Sequence, residues 1–204
     1  MSSIASHSLH VAVELTGFGH HPAAEGAPGN LPLIGADYWV DLTEGDTLLD
    51  LTAFPVNVIR IRASDLRDAQ AQRAQIRAAI AEDGRDPDSV AVLVDLEVLI
   101  APEARAARKE LAQLDSALNV PRVPASLHYV GTPSGLGSLI ADIRAADVAD
   151  GVTLLPLSLP RTLEHLVGET IPWLQSRGLV TPATAVDEVL GRFGLPQRQR
   201  TLAS

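Results

Sequence analysis

One short run constrains this chain more than any other: Gly151-Val-Thr-Leu-Leu-Pro156, apolar, rich in β-formers, bounded by Gly and Pro, and too short for a helix. Helical periodicity stands on both sides of it. Before it, Thr132 suits an N-cap, Pro133 fits the first helical position where no donor is lost, and Leu136, Ile140 and Ile143 recur on one face. After it, Leu163, Val167, Ile171 and Leu174 recur on one face, and Gly178 is placed to end the helix. A nearly all-apolar strand between two helices needs cover on both sides, so a parallel sheet clothed in helices is predicted.

The N-terminal part is read the same way. Leu9 to Leu15 alternates as a strand and ends at Gly17 and Gly19. A long loop rich in Gly and Pro follows, then a predicted short helix over Ala36 to Leu42. From Leu48 to Ser64, two strand-like runs meet at Pro55 with nothing between them. Neighbouring parallel strands need a crossover of roughly a dozen residues. This stretch is therefore one long bent strand, a strand with an irregular lead-in, or a tight antiparallel pair.

Farther on, Ser64 is the expected N-cap of a helix with Asp65 and Asp68 in its first turn, a stripe of Leu66, Ala69, Ile76 and Ile80, and Gly84 as its stop. Val90 to Ala101 reads as a strand, and Pro102 opens a helix with Ala104, Ala107, Leu111, Leu114 and Leu118 on one face. Residues 119–126 read as a linker, and the tail after Gly178 holds one short amphipathic helix.

A chain of 204 residues can bury one sizeable core, so a single domain is expected. Its 16 basic and 25 acidic side chains leave a net charge of −9, which argues against nucleic acid or an anionic membrane as partner. Without cysteine, disulfides and thiolate metal sites are excluded; His7, His10, His128 and His165 are scattered, so no metal is expected. The first residues carry neither a basic patch nor an apolar core, and Asp95 and Glu97 interrupt the most apolar run. The expectation is a cytoplasmic protein without a membrane span.

Strand alternation puts Arg60 and Arg62 on one face of their strand, and Asp95 and Glu97 on one face of theirs. If those strands are neighbours, the four form a cross-strand ionic ladder, either a structural charge cluster or a pair of carboxylates in a cleft. Val130 to Pro133 offers a helix N-terminus, which serves as structure or as an anion site. Trp39 and Trp173 are expected at packing contacts.

Several short motifs recur together: GHHPAA, ADYWVDL and LLD near the N-terminus, then GRDPDS, VGTP, ADGVTLLP and IPWLQSRGL. In this order they resemble the bacterial luciferase-like, flavin-dependent monooxygenases. The resemblance spans nearly all of this chain but only the two ends of the family's barrel. Residues 1–54 resemble its N-terminal units, 55–180 its C-terminal units and 181–204 its C-terminal extension, with the junction near Phe54 and Pro55. It implies an α/β fold, a partial (β/α)8 TIM barrel of about four to five mostly parallel strands with helices.

It also implies FMN or another reduced flavin as cofactor, O2 as co-substrate and a flavin reductase as partner. His20 and His21 match a segment lining the family's active-site mouth, and with the Leu155 and Pro156 edge they are the candidate flavin contacts. No catalytic residue is assigned. The family's phosphate-holding loops have no counterpart here, and no Gly-rich loop replaces them. Two functions stay open: a flavin-dependent oxidoreductase, or a non-catalytic flavin- or ligand-binding or assembly subunit. The shortened non-fluorescent flavoprotein of luminous bacteria is a precedent for the latter. A barrel cut this way leaves raw strand edges and an apolar sheet face, so a homodimer is expected in both cases.

Overall fold

Eight strands and five helices follow one another in a computed structural model that describes residues 9–16, 19–24, 38–44, 49, 51, 55–183, 186–187 and 191. The strands are β1 (His10–Leu15), β2 (Tyr38–Asp41), β3 (Thr43–Glu44), β4 (Val58–Ile61), β5 (Ala91–Ile100), β6 (Leu127–Gly131), β7 (Gly151–Pro156) and β8 (Thr181–Pro182). The helices are α1 (Leu66–Glu82), α2 (Ala104–Ser116), α3 (Pro133–Ala145), α4 (Arg161–His165) and α5 (Ile171–Ser176).

Six strands make an open sheet in the order β2-β1-β7-β5, and β5 then serves two neighbours on its other side. Four residues of β4 pair with its first part, Val58 opposite Ala91, while β6 pairs with its last part, Leu96 opposite Leu127. Every pairing is parallel except β1 with β2. The small β3–β8 pair stands apart.

The chain steps from β4 to β5 in one direction, back from β5 to β6, then across to β7. Crossovers of one hand that step in opposite directions put their helices on opposite faces of a sheet. The core clusters agree with this. Ala69 of α1 and Leu136, Ile140 and Ile143 of α3 pack with the even-numbered residues of β5, from Val92 to Ile100. By contrast, Ala107 of α2 packs with Leu99, Ala101 and Leu157 on the other face. A closed TIM barrel keeps all of its helices outside; here α2 lies on the face that would be the interior.

Local chemistry explains the helix ends. Thr132 accepts a hydrogen bond from the Gly135 N–H, and Pro133 opens α3. For α1 the cap is Asp65, one residue beyond the expected Ser64: Asp65 accepts from the Asp68 N–H, while the Ser64 N–H donates back to Asp68 Oδ2 at 2.9 Å. The Ser64 N–H first, and then the Gln72 side-chain amide, hold the Asp68 carboxyl below its ordinary range. Gly84 and Gly178 end their helices at φ 72 and 68, in the left-handed region that favours glycine. Between α4 and α5 a π turn, Leu166–Thr170, precedes Pro172, whose missing N–H and bulky ring disfavour a regular α-turn there.

Two expectations need correction. Tyr38–Asp41 is a strand rather than part of a helix, because Tyr-Trp-Val suits a pleated surface and β1 offers it an edge; Ala36 and Asp37 lie outside the described residues. Leu127–Gly131, for which no element was expected, is also a strand. Leu118 falls beyond α2, which ends at Ser116. Of the Leu48 to Ser64 stretch, residues 48, 50 and 52–54 lie outside the described set; of the rest, Leu49, Leu51 and Pro55 belong to no strand and Val58–Ile61 does, which accords with a strand behind an irregular lead-in. Among the described residues, no helix is long and apolar enough to cross a membrane.

Candidate functional site

The face bearing α2 carries most of the buried polar chemistry of the sheet. In one row Asp41, Ala12, Thr153 and Asp95 stand side by side across β2, β1, β7 and β5. Trp39 lies opposite Glu14, and Glu97 lies opposite both Leu155 and His128. Register alone therefore brings carboxylates from three strands, β2, β1 and β5, onto one face.

Arg60 on β4 joins them. Its Nε and Nη2 donate to Asp95 Oδ1 and Oδ2 at 2.8 and 3.0 Å, its Nη1 donates to Glu14 Oε2, and its guanidinium stacks 4.9 Å from the Trp39 ring centroid. Arg62 donates a single bond of 3.3 Å to Asp95. Burial opposes charge on Arg60, but the hydrogen bonds and charges of Asp95 and then Glu14 outweigh it and hold the guanidinium above its ordinary value. The ladder expected from alternation is therefore present for Arg60, Arg62 and Asp95. Glu97 departs from it: its partners are Arg122 and the Ala125 N–H, from the linker after α2. Glu14, Arg122 and Asp115 carried no local signal in the sequence, because each meets its partner only through tertiary folding.

The four candidate flavin contacts are brought together at the C-terminal ends of β1 and β7. The His20 N–H donates to Pro156 O at 2.8 Å, and the His21 N–H donates to Leu157 O at 3.1 Å. Gly19, at φ 129, allows this close approach, since a Cβ there would sit 2.5 Å from Leu157 O. The His20 ring donates from Nε2 to Glu14 O at 2.9 Å. The His21 ring is fully covered: the Ala23 N–H donates to Nδ1, so Nε2 bears the proton and donates it to Asp115 Oδ1 at 3.0 Å. Leu155 and Pro156 are buried, and Leu99 and Leu157 beside them lie under α2.

Two buried polar atoms of this face, Thr153 Oγ1 and Trp39 Nε1, have no hydrogen-bond partner among the described residues. Trp173 packs elsewhere, with its ring over Gly137 of α3 and 3.9 Å from the Arg177 guanidinium carbon. The Val130 to Pro133 turn is self-contained, its Gly135 N–H spent on Thr132. An open groove of about 490 Å³ lies at the opposite end of β1, lined by Leu9, Glu44, Gln175, Gly178, Leu179, Val180 and Thr181, away from this chemistry.

No family model matches the sequence. Solved structures do resemble the fold. EDTA monooxygenase from Chelativorans sp. BNC1 superposes with a TM-score of 0.55 at 20% identity, over 69% of this chain and 46% of its own. A riboflavin lyase solved with modified FMN and its substrate riboflavin gives a TM-score of 0.53 at 17% identity, over 69% and 43%. A long-chain alkane monooxygenase gives 0.53 at 16%, over 60% and 37%. The fold is part of a luciferase-like TIM barrel. This chain spans less than half the length of each of these three proteins.

The described residues do not fit a flavin in the present arrangement. A flavin needs free donors for its phosphate and an open wall for its ring. Here Arg60, Arg62 and Arg122 face carboxylates, both nitrogens of His21 are engaged, and α2 covers the wall.

Proposed function

We propose that this chain is a shortened homologue of the luciferase-like flavin-dependent monooxygenases that no longer catalyses as a single chain and acts as a non-catalytic, homodimeric cytoplasmic subunit. One observation carries the reading: α2 and its linker lie over the strand ends where a TIM barrel builds its active site, with His21 tied to Asp115. Pairing with a second copy is supported at the β4–β6 side of β5, beyond which no further strand lies among the described residues. The linker leading into β6 carries Val120 and Val123 at 72% and 83% exposure. A chain without cysteine suits a reducing compartment.

Titration of the purified protein with FMN, followed by turnover assays with reduced FMN, O2, a flavin reductase and a panel of aldehydes, tests the reading. No saturable quenching and no turnover are expected, together with a dimeric mass in light scattering. Turnover by the unmodified chain would establish the other reading, a flavin-dependent monooxygenase supplied by a separate reductase. That reading is favoured by the names of the similar structures and by His20 at the mouth, its side chain 17% exposed.

A further inference from the structure

We infer that residues 104–125, comprising α2 and the linker behind it, form a gate over the C-terminal ends of β5 and β6 and over Leu157 beyond β7 that opens as a unit while the rest of the sheet stays folded. The inference rests on the reading that this segment covers the mouth. Its physical basis is how lightly the segment is held.

Helices α2 and α3 are both 13 residues long, yet α3 buries Pro133, Leu136, Gly137, Ile140 and Ile143 whereas α2 buries only Ala107. Thr132 caps α3, but Glu103 makes no side-chain cap bond for α2. The far end of the segment is fastened by polar contacts, His21 to Asp115, Arg122 to Glu97 and the Ala125 N–H to Glu97, and it stops short of Ser126, whose buried hydroxyl accepts from the Ala63 N–H and donates to Asp95 O. Water can replace contacts of that kind when they part. The linker itself has no regular structure and leaves Val120 and Val123 in solvent.

The closed state also carries a defect. Arg122 Nε is buried without a hydrogen-bond partner, 3.8 Å from Asp115 Oδ1, and opening would hydrate it. Few buried apolar contacts, a polar fastening and an irregular hinge are the marks of a segment that unfolds locally before the whole. Opening bares an apolar shelf of Leu99, Ala101 and Leu157 and frees the Nε2–H of His21.

Because the chain has no cysteine, single thiols report opening cleanly. Ala101 lies under the gate and is 7% exposed; Ala149 lies in the core of the opposite face and is 0% exposed. In native buffer with excess thiol reagent, an Ala101→Cys variant should label about tenfold faster than an Ala149→Cys variant. Adding Asp115→Ala, at a site 42% exposed, should speed the first by about tenfold more and leave the second unchanged. Hydrogen exchange on the unmodified chain should show 104–125 exchanging ahead of 133–145. Equal labelling rates with the same denaturant dependence, or exchange of both segments together, would overturn the gate. Flavin turnover by the unmodified chain would instead sink the non-catalytic reading and leave the gate standing.

Discussion

The two faces of the sheet use alternate residues of the same strands but are held by different physics. One is dry: Val11, Val13 and Leu15, the series from Val92 to Ile100, and Val152 and Leu154 meet α1, α3 and the α4–α5 rod. The other mixes Ala12, Leu93 and Leu99 with Glu14, Asp95, Glu97 and Thr153. In a closed barrel this second face is interior, filled by layers of side chains from the whole ring. An open sheet lacks the rest of the ring and must cover the face by other means. This chain uses three: Trp39, Leu49 and Leu51 over one end, the ionic ladder in the middle, and α2 over the other end. An apolar sheet face left bare was the expectation; among the described residues it is instead covered and charged.

The sharpest test of that contrast is Arg60, 24% exposed against an Asp95 that is 2% exposed. Arg60→Met should cost about 3 kcal/mol in urea unfolding, because it strands buried carboxylates. Adding Asp95→Asn and Glu14→Gln should recover much of the loss. A loss below about 1 kcal/mol would mean that the ladder behaves as a surface pair, and the contrast between faces would fail.

Truncations on the two helices compare the covers directly. Ile140→Ala on α3 should cost about 3 kcal/mol, and Leu111→Ala on half-buried α2 about 1 kcal/mol. Equal losses would remove the distinction.

A further test concerns the seam at the foot of the dry face. Asp150 accepts from Arg73, Arg77 and the Val92 N–H, each at 2.8 Å. Burial alone would raise its pKa; the Arg73 hydrogen bond, then the Val92 N–H and the charges of Arg73 and Arg77, outweigh burial and hold it below the usual carboxylate range. A depressed carboxyl stabilises the fold above its unfolded value of about 3.9, and the contribution fades as pH falls below that towards the folded value. Asp150→Asn should thus cost about 2 kcal/mol at pH 7, and the gap to the unmodified chain should narrow steadily below pH 4 in urea midpoints. A gap that widens on acidification would contradict the assignment.

What could be read from the sequence was whatever depends on neighbours in the chain. The Thr132–Pro133 start, the Gly151–Pro156 strand, the long β5 run and the Gly84 and Gly178 stops all follow from local rules. Tyr38–Asp41 could not be read, because four residues do not disclose a period and the deciding partner, β1, is remote. The ladder was visible only conditionally, as side chains that would meet if β4 and β5 were adjacent. Arg122 beside Glu97 and Asp115 beside His21 were invisible, since the face taken by α2 depends on which way the chain steps after β5.

The parallel pairing of β1 with β7, Val11 opposite Val152, has a consequence for how the protein is made. On the ribosome the first strand emerges long before this mate and must wait, with only the short β2 to pair with, through much of translation. Contacts so distant along the chain slow closure of the sheet. Residues 10–15 therefore stay open to chaperones and to aggregation until β7 arrives, although they finish buried in the folded sheet.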